Sequence, residues 1–212
     1  MHLRHIKTYH AKEIKTKQGP IIVEGPIQTN RLKELHFHEG LTAFRPSDQQ
    51  KEALLEISEL EEGRIIIARY KDTVVGYVTF LYPDPLERWS EGNLENLIEL
   101  GAIEVAPPFR EISIGKNLLE VSMMDKMMEN YIIITTEYYW HWDLKGTGLN
   151  VWEYRKAMEK MMETGGLTWV ATDDPEICSH PANCLMARFG KKVNHESVQK
   201  FDQLRFQNRF MY

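Results

Sequence analysis

The segment Glu99–Leu119 reads ELGAIEVAPPFREISIGKNLL. Its apolar start ends at two prolines, an arginine follows, and a glycine opens an apolar helical pattern. The turn from Arg110 to Gly115 can aim several backbone N–H groups at one point, and the N-terminus of the following helix adds about +0.5 of an elementary charge there. The segment therefore predicts a strand, an anion-binding loop and a helix, and a diphosphate group fits such a loop.

The spacing R-x-x-x-x-G, from Arg110 to Gly115, resembles the acetyl-coenzyme A loop of the GNAT family of acetyltransferases. The pattern of that family is Q/R-x-x-G-x-G/A, and this chain carries Ser113 in place of the middle glycine. If the loop needs a positive φ at this point, Ser113 is strained; otherwise the position is right-handed and tolerates a side chain.

The resemblance covers nearly the whole chain. It rests on EGPI (24–27), GLTAFRP (40–46), YPDPLERWSEGNLENLIELGAIEV (82–105), TTEYYWHWDLKG (135–146) and SHPANCLMARFGK (179–191). These segments resemble one branch of the family, whose members are protein lysine acetyltransferases in acetoin and acetate metabolism. The resemblance implies an α/β (α+β) GNAT fold, with a mixed, mostly antiparallel sheet flanked by helices. It also implies acetyl-CoA as the donor and acetyl-CoA synthetase as the protein substrate, which loses activity when its active-site lysine is acetylated.

The resemblance also implies the residues that hold the donor. Backbone N–H groups of the strand before the loop polarise the thioester carbonyl in this family, and Ile103 and Val105 occupy that place. Asn183 matches an asparagine of a later motif and is a further cofactor contact. The pyrophosphate set is Arg110, Ile112, Ser113, Ile114, Gly115 and Lys116.

Acetylation of an amine needs a base, because a free lysine with a pKa of ~10.4 is protonated at neutral pH. Glu99 lies eleven residues before Arg110, which matches the catalytic glutamate of the histone-acetylating members. Strand alternation places Glu99 and Glu104 on opposite faces, so Glu104 is the rival base. His141 is a third candidate, since its ordinary pKa near ~6.5 suits proton transfer.

The late family motif places a tyrosine, which protonates the leaving thiolate, shortly after the asparagine and an apolar helix. Met186 stands at that position. Coenzyme A can leave as a thiolate without an acid, because a thiol pKa near ~8.5 makes it a fair leaving group. Two alternatives to protein acetylation stay open: acetylation of a small amine, and an acyl-CoA sensor that binds a partner without turnover.

Composition sets limits on partners and compartment. The 212 residues suit a single domain, 1–212. With 26 basic and 31 acidic residues the net charge is −5, which argues against a nucleic-acid surface or a polybasic membrane patch. No run reaches the ~18 apolar residues of a membrane span, and the polar start lacks a signal peptide, so we expect a cytoplasmic protein.

The two cysteines are too few for a disulfide framework and are expected to be reduced thiols. Cys178, His180 and Cys184 lie close together, but zinc takes four ligands and no fourth is near, so we expect no metal. Neither cysteine belongs to a nucleophile motif, which favours direct transfer without a covalent enzyme intermediate.

Hydrophobic periodicity predicts the elements. Ser47 and Gln50 match a capping box, and the methionines at 123, 124, 127 and 128 are expected to be core. The predicted strands are a short opening strand or hairpin around 21–23, a hairpin of 64–69 and 73–80, and single strands at 97–105, 131–136 and 167–172. The predicted helices cover 30–38, 47–60, 114–128 and 151–163.

Residues of about 131–163 look like an insertion relative to a minimal member of the family. They include the aromatic stretch EYYWHWD, 137–143. Such a surface either covers an edge of the sheet or forms a homodimer contact, or it docks a protein substrate.

Overall fold

The structure is a computed structural model and describes residues 4–208. The chain forms two compact units. Within the described residues, the N-terminal unit contains residues 4–81 and 100–128, and the C-terminal unit contains residues 82–99 and 129–208. Whether the chain acts as the single domain predicted from its length stays a prediction.

The N-terminal unit is built on antiparallel strands that neighbour one another in the order β1, β2, β4 and β5. A short strand, β3, pairs in parallel with β5. The bounds are β1 His10–Thr16, β2 Gly19–Gly25, β3 His36–Phe37, β4 Arg64–Tyr70 and β5 Thr73–Leu81. Residues 100–105 of β6, whose full range is Leu97–Val105, belong to the same unit.

The hairpin β4–β5 is the most buried part of the sheet in this unit. Both strands are rich in isoleucine and valine, which favour the extended backbone, and nearly all of their side chains are buried. Lys71 turns the chain between them with a φ of 54°. The predicted hairpin of 64–80 is therefore confirmed, and of the two alternatives for the opening segment the structure has the hairpin, β1–β2.

Three helices pack in the N-terminal unit: α1 Thr29–Glu34, α2 Ser47–Glu59 and α3 Ile114–Ser122. The predicted helix to His38 was wrong, because the chain becomes extended at Leu35 and His36–Phe37 pair with β5. The predicted capping box was also wrong, since Pro46 is the N-cap of α2 and no side chain caps the helix.

Helix α3 is shorter than predicted. It ends at Ser122, and a 3₁₀ turn at Lys126–Asn130 follows. Asp125 explains the break, because its Oδ1 accepts a 2.9 Å hydrogen bond from the Met127 N–H and so competes with helix continuation. Of the four methionines expected in the core, Met128 is buried, whereas Met124 is 43% exposed.

The C-terminal unit contains a mixed sheet. Residues Leu97–Glu99 of β6 pair in parallel with β7, which pairs antiparallel with β9, and β8 pairs antiparallel with the other side of β9. Its strands are β7 Ile132–Glu137, β8 Thr168–Val170 and β9 Cys184–Phe189, and its helices are α4 Leu144–Thr147, α5 Val151–Met162, α6 Pro175–Cys178 and α7 His195–Arg205.

The core of this unit is one apolar cluster. It gathers side chains from the strands, from α6 and α7 and from the segment before β6, namely Trp89, Leu97, Ile132, Ile134, Ile177, Leu185, Ala187, Phe201 and Leu204. Burial of such aliphatic and aromatic side chains contributes most of the favourable free energy of folding. That core holds β6 and β7 in register.

The predicted fold class, a mixed and mostly antiparallel sheet with flanking helices, is confirmed. The apolar residues after Asn183, where the family motif has a helix, form β9, which is paired on both sides. Residues 131–163 contain β7, α4 and α5, and their status as an insertion stays a prediction. No helix between residues 4 and 208 is long and apolar enough to cross a membrane.

Candidate functional site

The loop between β6 and α3 has three parts, which follow one another along the chain. The Ala106 N–H donates a 2.8 Å hydrogen bond to the Val75 carbonyl, and a 3₁₀ turn then runs through Pro107–Ile112. Ser113 turns the chain, and α3 begins at Ile114. The first N–H groups of a helix have no acceptor within it, so the first turn of α3 presents donors and a partial positive charge to an anion.

Ser113 has a φ of 59° and a ψ of 26°, the left-handed conformation. A glycine adopts this conformation freely, whereas for a serine it costs about 1–2 kcal/mol. The Ser113 side chain caps nothing, but its carbonyl accepts hydrogen bonds from the backbone and side-chain N–H groups of Asn117. Of the two alternatives for this position, the structure has the strained one, with a positive φ at Ser113.

The predicted donor-binding residues lie along this strand, loop and helix start. The Arg110 Nε donates a 3.1 Å hydrogen bond to the Val105 carbonyl, and its side chain is exposed. Ile114 is buried, and the half-buried members of the set are Ile103, Val105, Ile112, Gly115 and Lys116. The structure brings these residues into one continuous segment, and their contact with a cofactor stays a prediction.

Gly76 on β5 allows close packing around this loop. A methyl group at Gly76 would lie 3.1 Å from the Glu104 carbonyl oxygen and 3.2 Å from Cγ2 of Ile114. The lack of a side chain therefore lets the end of β6 and the start of α3 approach β5.

Glu104 is buried, at 5% exposure, and both of its carboxylate oxygens are held. Its Oε2 accepts a 2.7 Å hydrogen bond from the Tyr77 hydroxyl, and its Oε1 accepts a 2.7 Å bond from the Ala43 N–H. Burial, with the hydrogen bond and charge of Glu104, raises the pKa of Tyr77 well above its ordinary value, so the phenol stays protonated. Sequence reasoning missed Tyr77 and Ala43, because nothing local marks them as partners of Glu104.

Glu99, in the C-terminal unit, has a different environment. The Thr136 hydroxyl donates a 3.1 Å hydrogen bond to its Oε1. Burial is the main cause that raises the pKa of Glu99 to about 8, and the negative charge of Glu87 adds to it. A carboxyl group with such a pKa is suited to exchange a proton near neutral pH.

Further acids surround Glu99. Burial also raises the pKa of Glu87 and of Glu137 above their ordinary values. The oxygens of Glu137 are held by the Thr135 hydroxyl and the Trp142 indole N–H, each at 3.2 Å. The C-terminal unit therefore collects several carboxyl groups that favour the neutral form.

The aromatic stretch after β7 packs largely against itself and against α5. Tyr138 stacks on Trp140 with ring centroids 4.9 Å apart, and Trp142 stacks on Tyr154 at 5.0 Å. Trp140 is still 46% exposed. His141 is exposed and touches Tyr138 and Trp140 through ring edges, and its role as a base stays a prediction.

Asn183 is 5% exposed, and its side chain is used inside the C-terminal unit. Its Oδ1 accepts a 3.0 Å hydrogen bond from the Tyr139 N–H, and its Nδ2 donates to the Glu176 carbonyl at 3.3 Å. Met186 is buried in β9 at 1% exposure. A cofactor contact by Asn183 stays a prediction.

The two thiols lie in different environments, and direct transfer without a cysteine nucleophile stays a prediction. Cys178 is exposed and Cys184 is buried, and burial raises the pKa of Cys184 to about 12. Within residues 4–208, no cluster of three or more His, Cys, Asp or Glu side chains is arranged to hold a metal ion.

Comparison with known proteins places the chain. Residues 31–137 match the acetyltransferase (GNAT) family. The chain is 70% identical to the acetoin utilization protein AcuA of Bacillus licheniformis. The alignment covers 99% of this chain and 100% of that protein. It is 65% identical to the AcuA of Bacillus subtilis strain 168, with the same coverage.

A crystal structure of the acetoin utilization protein from Exiguobacterium sibiricum is similar to this structure. It superimposes with a TM-score of 0.95 over 98% of each chain, at 61% identity. The chain therefore belongs to the GNAT family of acetyltransferases, is an acyltransferase by that membership, and groups with the AcuA proteins.

Proposed function

We propose that the protein transfers the acetyl group of acetyl-CoA directly to a lysine side chain of acetyl-CoA synthetase and thereby inactivates that enzyme. The observation that carries the proposal is Glu99, a carboxyl group whose pKa is about 8 in the strand that leads to the anion-binding loop. The names of the relatives support a place in acetoin utilisation.

The loop supports the donor side of the proposal. The N–H groups of Ser113, Ile114, Gly115 and Lys116 and the charge of Arg110 suit a pyrophosphate, because a helix start and a cation both favour anions. In the proposed reaction the N–H groups of Ile103 and Val105 stabilise the oxyanion that forms from the thioester carbonyl. Acetyl-CoA is the donor, and Asn183 remains a proposed further contact.

Glu99 is the proposed general base. It takes a proton from the lysine ammonium, and the freed amine attacks the thioester carbonyl carbon. The C–N bond forms first, and the carbonyl oxygen becomes an oxyanion. The C–S bond then breaks, coenzyme A leaves as a thiolate, and the second proton of the nitrogen passes to that thiolate or to solvent. A base with a pKa of about 8 removes the proton from an ammonium more readily than an ordinary carboxylate does.

Glu104 is the rival base. Tyr77 and Ala43 each donate to one of its oxygens, and the residue is only 5% exposed, so an acceptor amine has little access to it. This favours Glu99 as the base and Glu104 as an anchor.

The protein acceptor, the cytoplasmic location and a homodimer are part of the same proposal. The exposed part of the aromatic stretch, with Trp140 46% exposed, suits a protein interface, since aromatic side chains often anchor such contacts. A sensor that never turns over acetyl-CoA is the alternative, and Met186 at the position of the family's acid favours it.

The experiment compares acetyl transfer by the wild-type protein, Glu99→Gln and Glu104→Gln, with acetyl-CoA synthetase as acceptor. Mass spectrometry locates the modified lysine, and calorimetry measures acetyl-CoA binding. Glu196→Gln, a change at the exposed start of α7, is the control. We expect loss of transfer with retained binding only in Glu99→Gln.

The other outcomes separate the alternatives. Loss only in Glu104→Gln would move the base to Glu104. Binding of acetyl-CoA without transfer by the wild-type protein would favour the small-amine or sensor function.

A further inference from the structure

The register of β6 and β7 brings one hydroxyl group to Glu99. Glu99 lies opposite Ile134 in the parallel pairing. Because side chains alternate along a strand, Thr136 points to the same face as Ile134, one step further along β7. Its Oγ1 reaches Oε1 of Glu99 at 3.1 Å and donates a hydrogen bond.

The charges of other titratable groups oppose the ionised form of Glu99. Glu87 and Asp84 lie in the segment before β6, Glu137 lies on β7, and all three carry negative charge when ionised. Tyr138 is hydrogen-bonded to Thr136, and burial keeps its phenol protonated. Thr136 has the opposite effect: its hydrogen bond stabilises the carboxylate and so lowers the pKa of Glu99.

We propose that Thr136 is a positioning residue for acetyl transfer, which fixes Oε1 of Glu99 with its hydroxyl and leaves Oε2 to accept the proton of the acceptor ammonium. This rests on the proposed role of Glu99 as the base. A carboxylate held at one oxygen keeps its rotamer, and a base in fixed orientation avoids an entropic cost when the proton is transferred.

Two variants isolate the hydroxyl. Thr136→Val keeps the branched shape and removes the donor, whereas Thr136→Ser keeps the donor. Loss of a hydrogen bond to a charged group raises the pKa of Glu99 further, so the acidic limb of kcat/KM should move up by about one pH unit. Above that limb, kcat should fall about tenfold or less because the carboxylate loses its fixed orientation.

The neighbouring hydroxyl supplies a matched control. Thr135 lies on the opposite face of β7 and donates to Glu137, not to Glu99. Thr135→Val removes an equivalent group from another buried acid. It should not move the acidic limb up, because a Glu137 that ionises less readily repels the Glu99 carboxylate less.

The test is the profile of kcat/KM from about pH 6 to about pH 10 for the wild type, the three threonine variants and Glu99→Gln, with thermal unfolding as a check of folding. We expect the limb to move in Thr136→Val and to return in Thr136→Ser. If Thr136→Val does not fold, Thr136→Ala takes its place.

Three results would overturn the proposal in distinguishable ways. An inactive Glu99→Gln with an unmoved limb in Thr136→Val would refute the role of Thr136 and leave the base in place. An equal limb shift in Thr135→Val would show a general effect of packing and would also refute it. An active Glu99→Gln would remove the base itself, and the role of Thr136 with it.

Discussion

Tyr77 and Glu104 form a buried hydrogen bond of 2.7 Å within the N-terminal unit, between the middle of β5 and the end of β6. The second oxygen of Glu104 accepts from the Ala43 N–H, so one carboxylate fixes two strands and the loop before α2. A buried carboxylate is stable only when its oxygens are satisfied. Glu104 thus organises the segment that leads into the predicted anion-binding loop.

We predict that Tyr77→Phe lowers the free energy of unfolding by about 1–3 kcal/mol, because it leaves a buried carboxylate oxygen without its donor. Urea denaturation measures the change. Tyr70→Phe is the matched control: the Tyr70 hydroxyl donates to the Gln18 carbonyl at the surface, so its loss should cost much less. Equal costs for both variants would contradict the anchoring role of Glu104.

We predict that Glu99→Gln stabilises the protein at alkaline pH. The pKa of Glu99 is raised from 4.5 to about 8 on folding, so between these values the folded state holds a proton that the unfolded state has lost. The contribution of Glu99 to the free energy of unfolding is therefore most favourable at low pH and is lost as the pH rises toward about 8.

The glutamine variant removes this titration. Its advantage in free energy of unfolding over the wild type should grow from near zero below about pH 4.5 to a few kcal/mol above about pH 8, at about 1.4 kcal/mol per pH unit. Thermal or urea unfolding across this range measures the difference. A difference that does not depend on pH would show that Glu99 is not buried in the way described.

We predict that Ser113→Gly raises the free energy of unfolding by about 0.5–1 kcal/mol. Relief of the left-handed strain is worth about 1–2 kcal/mol, and the greater freedom of glycine in the unfolded chain cancels part of it. Ser113→Ala keeps the Cβ atom and removes a hydroxyl that caps nothing, so it should bring no gain. Equal stability of the two variants in urea would contradict the strain.

Much of the N-terminal unit was predictable from local pattern. The strands β4 and β5 are rich in β-branched residues and are bounded by turns. The predicted bounds of β6, Leu97–Val105, agree with the structure. The loop and the start of α3 at Ile114 also followed from the two prolines and the glycine. These elements are set by backbone preference and by burial, which a single sequence shows.

The rest depends on pairing between distant segments. Apolar residues after Asn183 suit a helix or a strand, and only pairing with β7 and β8 decides for the strand. The donors that distinguish Glu99 from Glu104 are Thr136 and Tyr77, and both come from other strands. The sequence correctly predicts that both glutamates lie on β6. Their different hydrogen-bond partners come from other strands and could not be predicted from local pattern.

The strand β1 pairs with β2, and within residues 4–208 no other strand joins its far side. Its exposed positions include Glu13 and Lys15, and its burial alternates along its whole length. An open strand edge is a template for pairing with another chain, and charged side chains along it make that pairing unfavourable. The edge therefore protects the protein from aggregation at high concentration, a property separate from its chemistry.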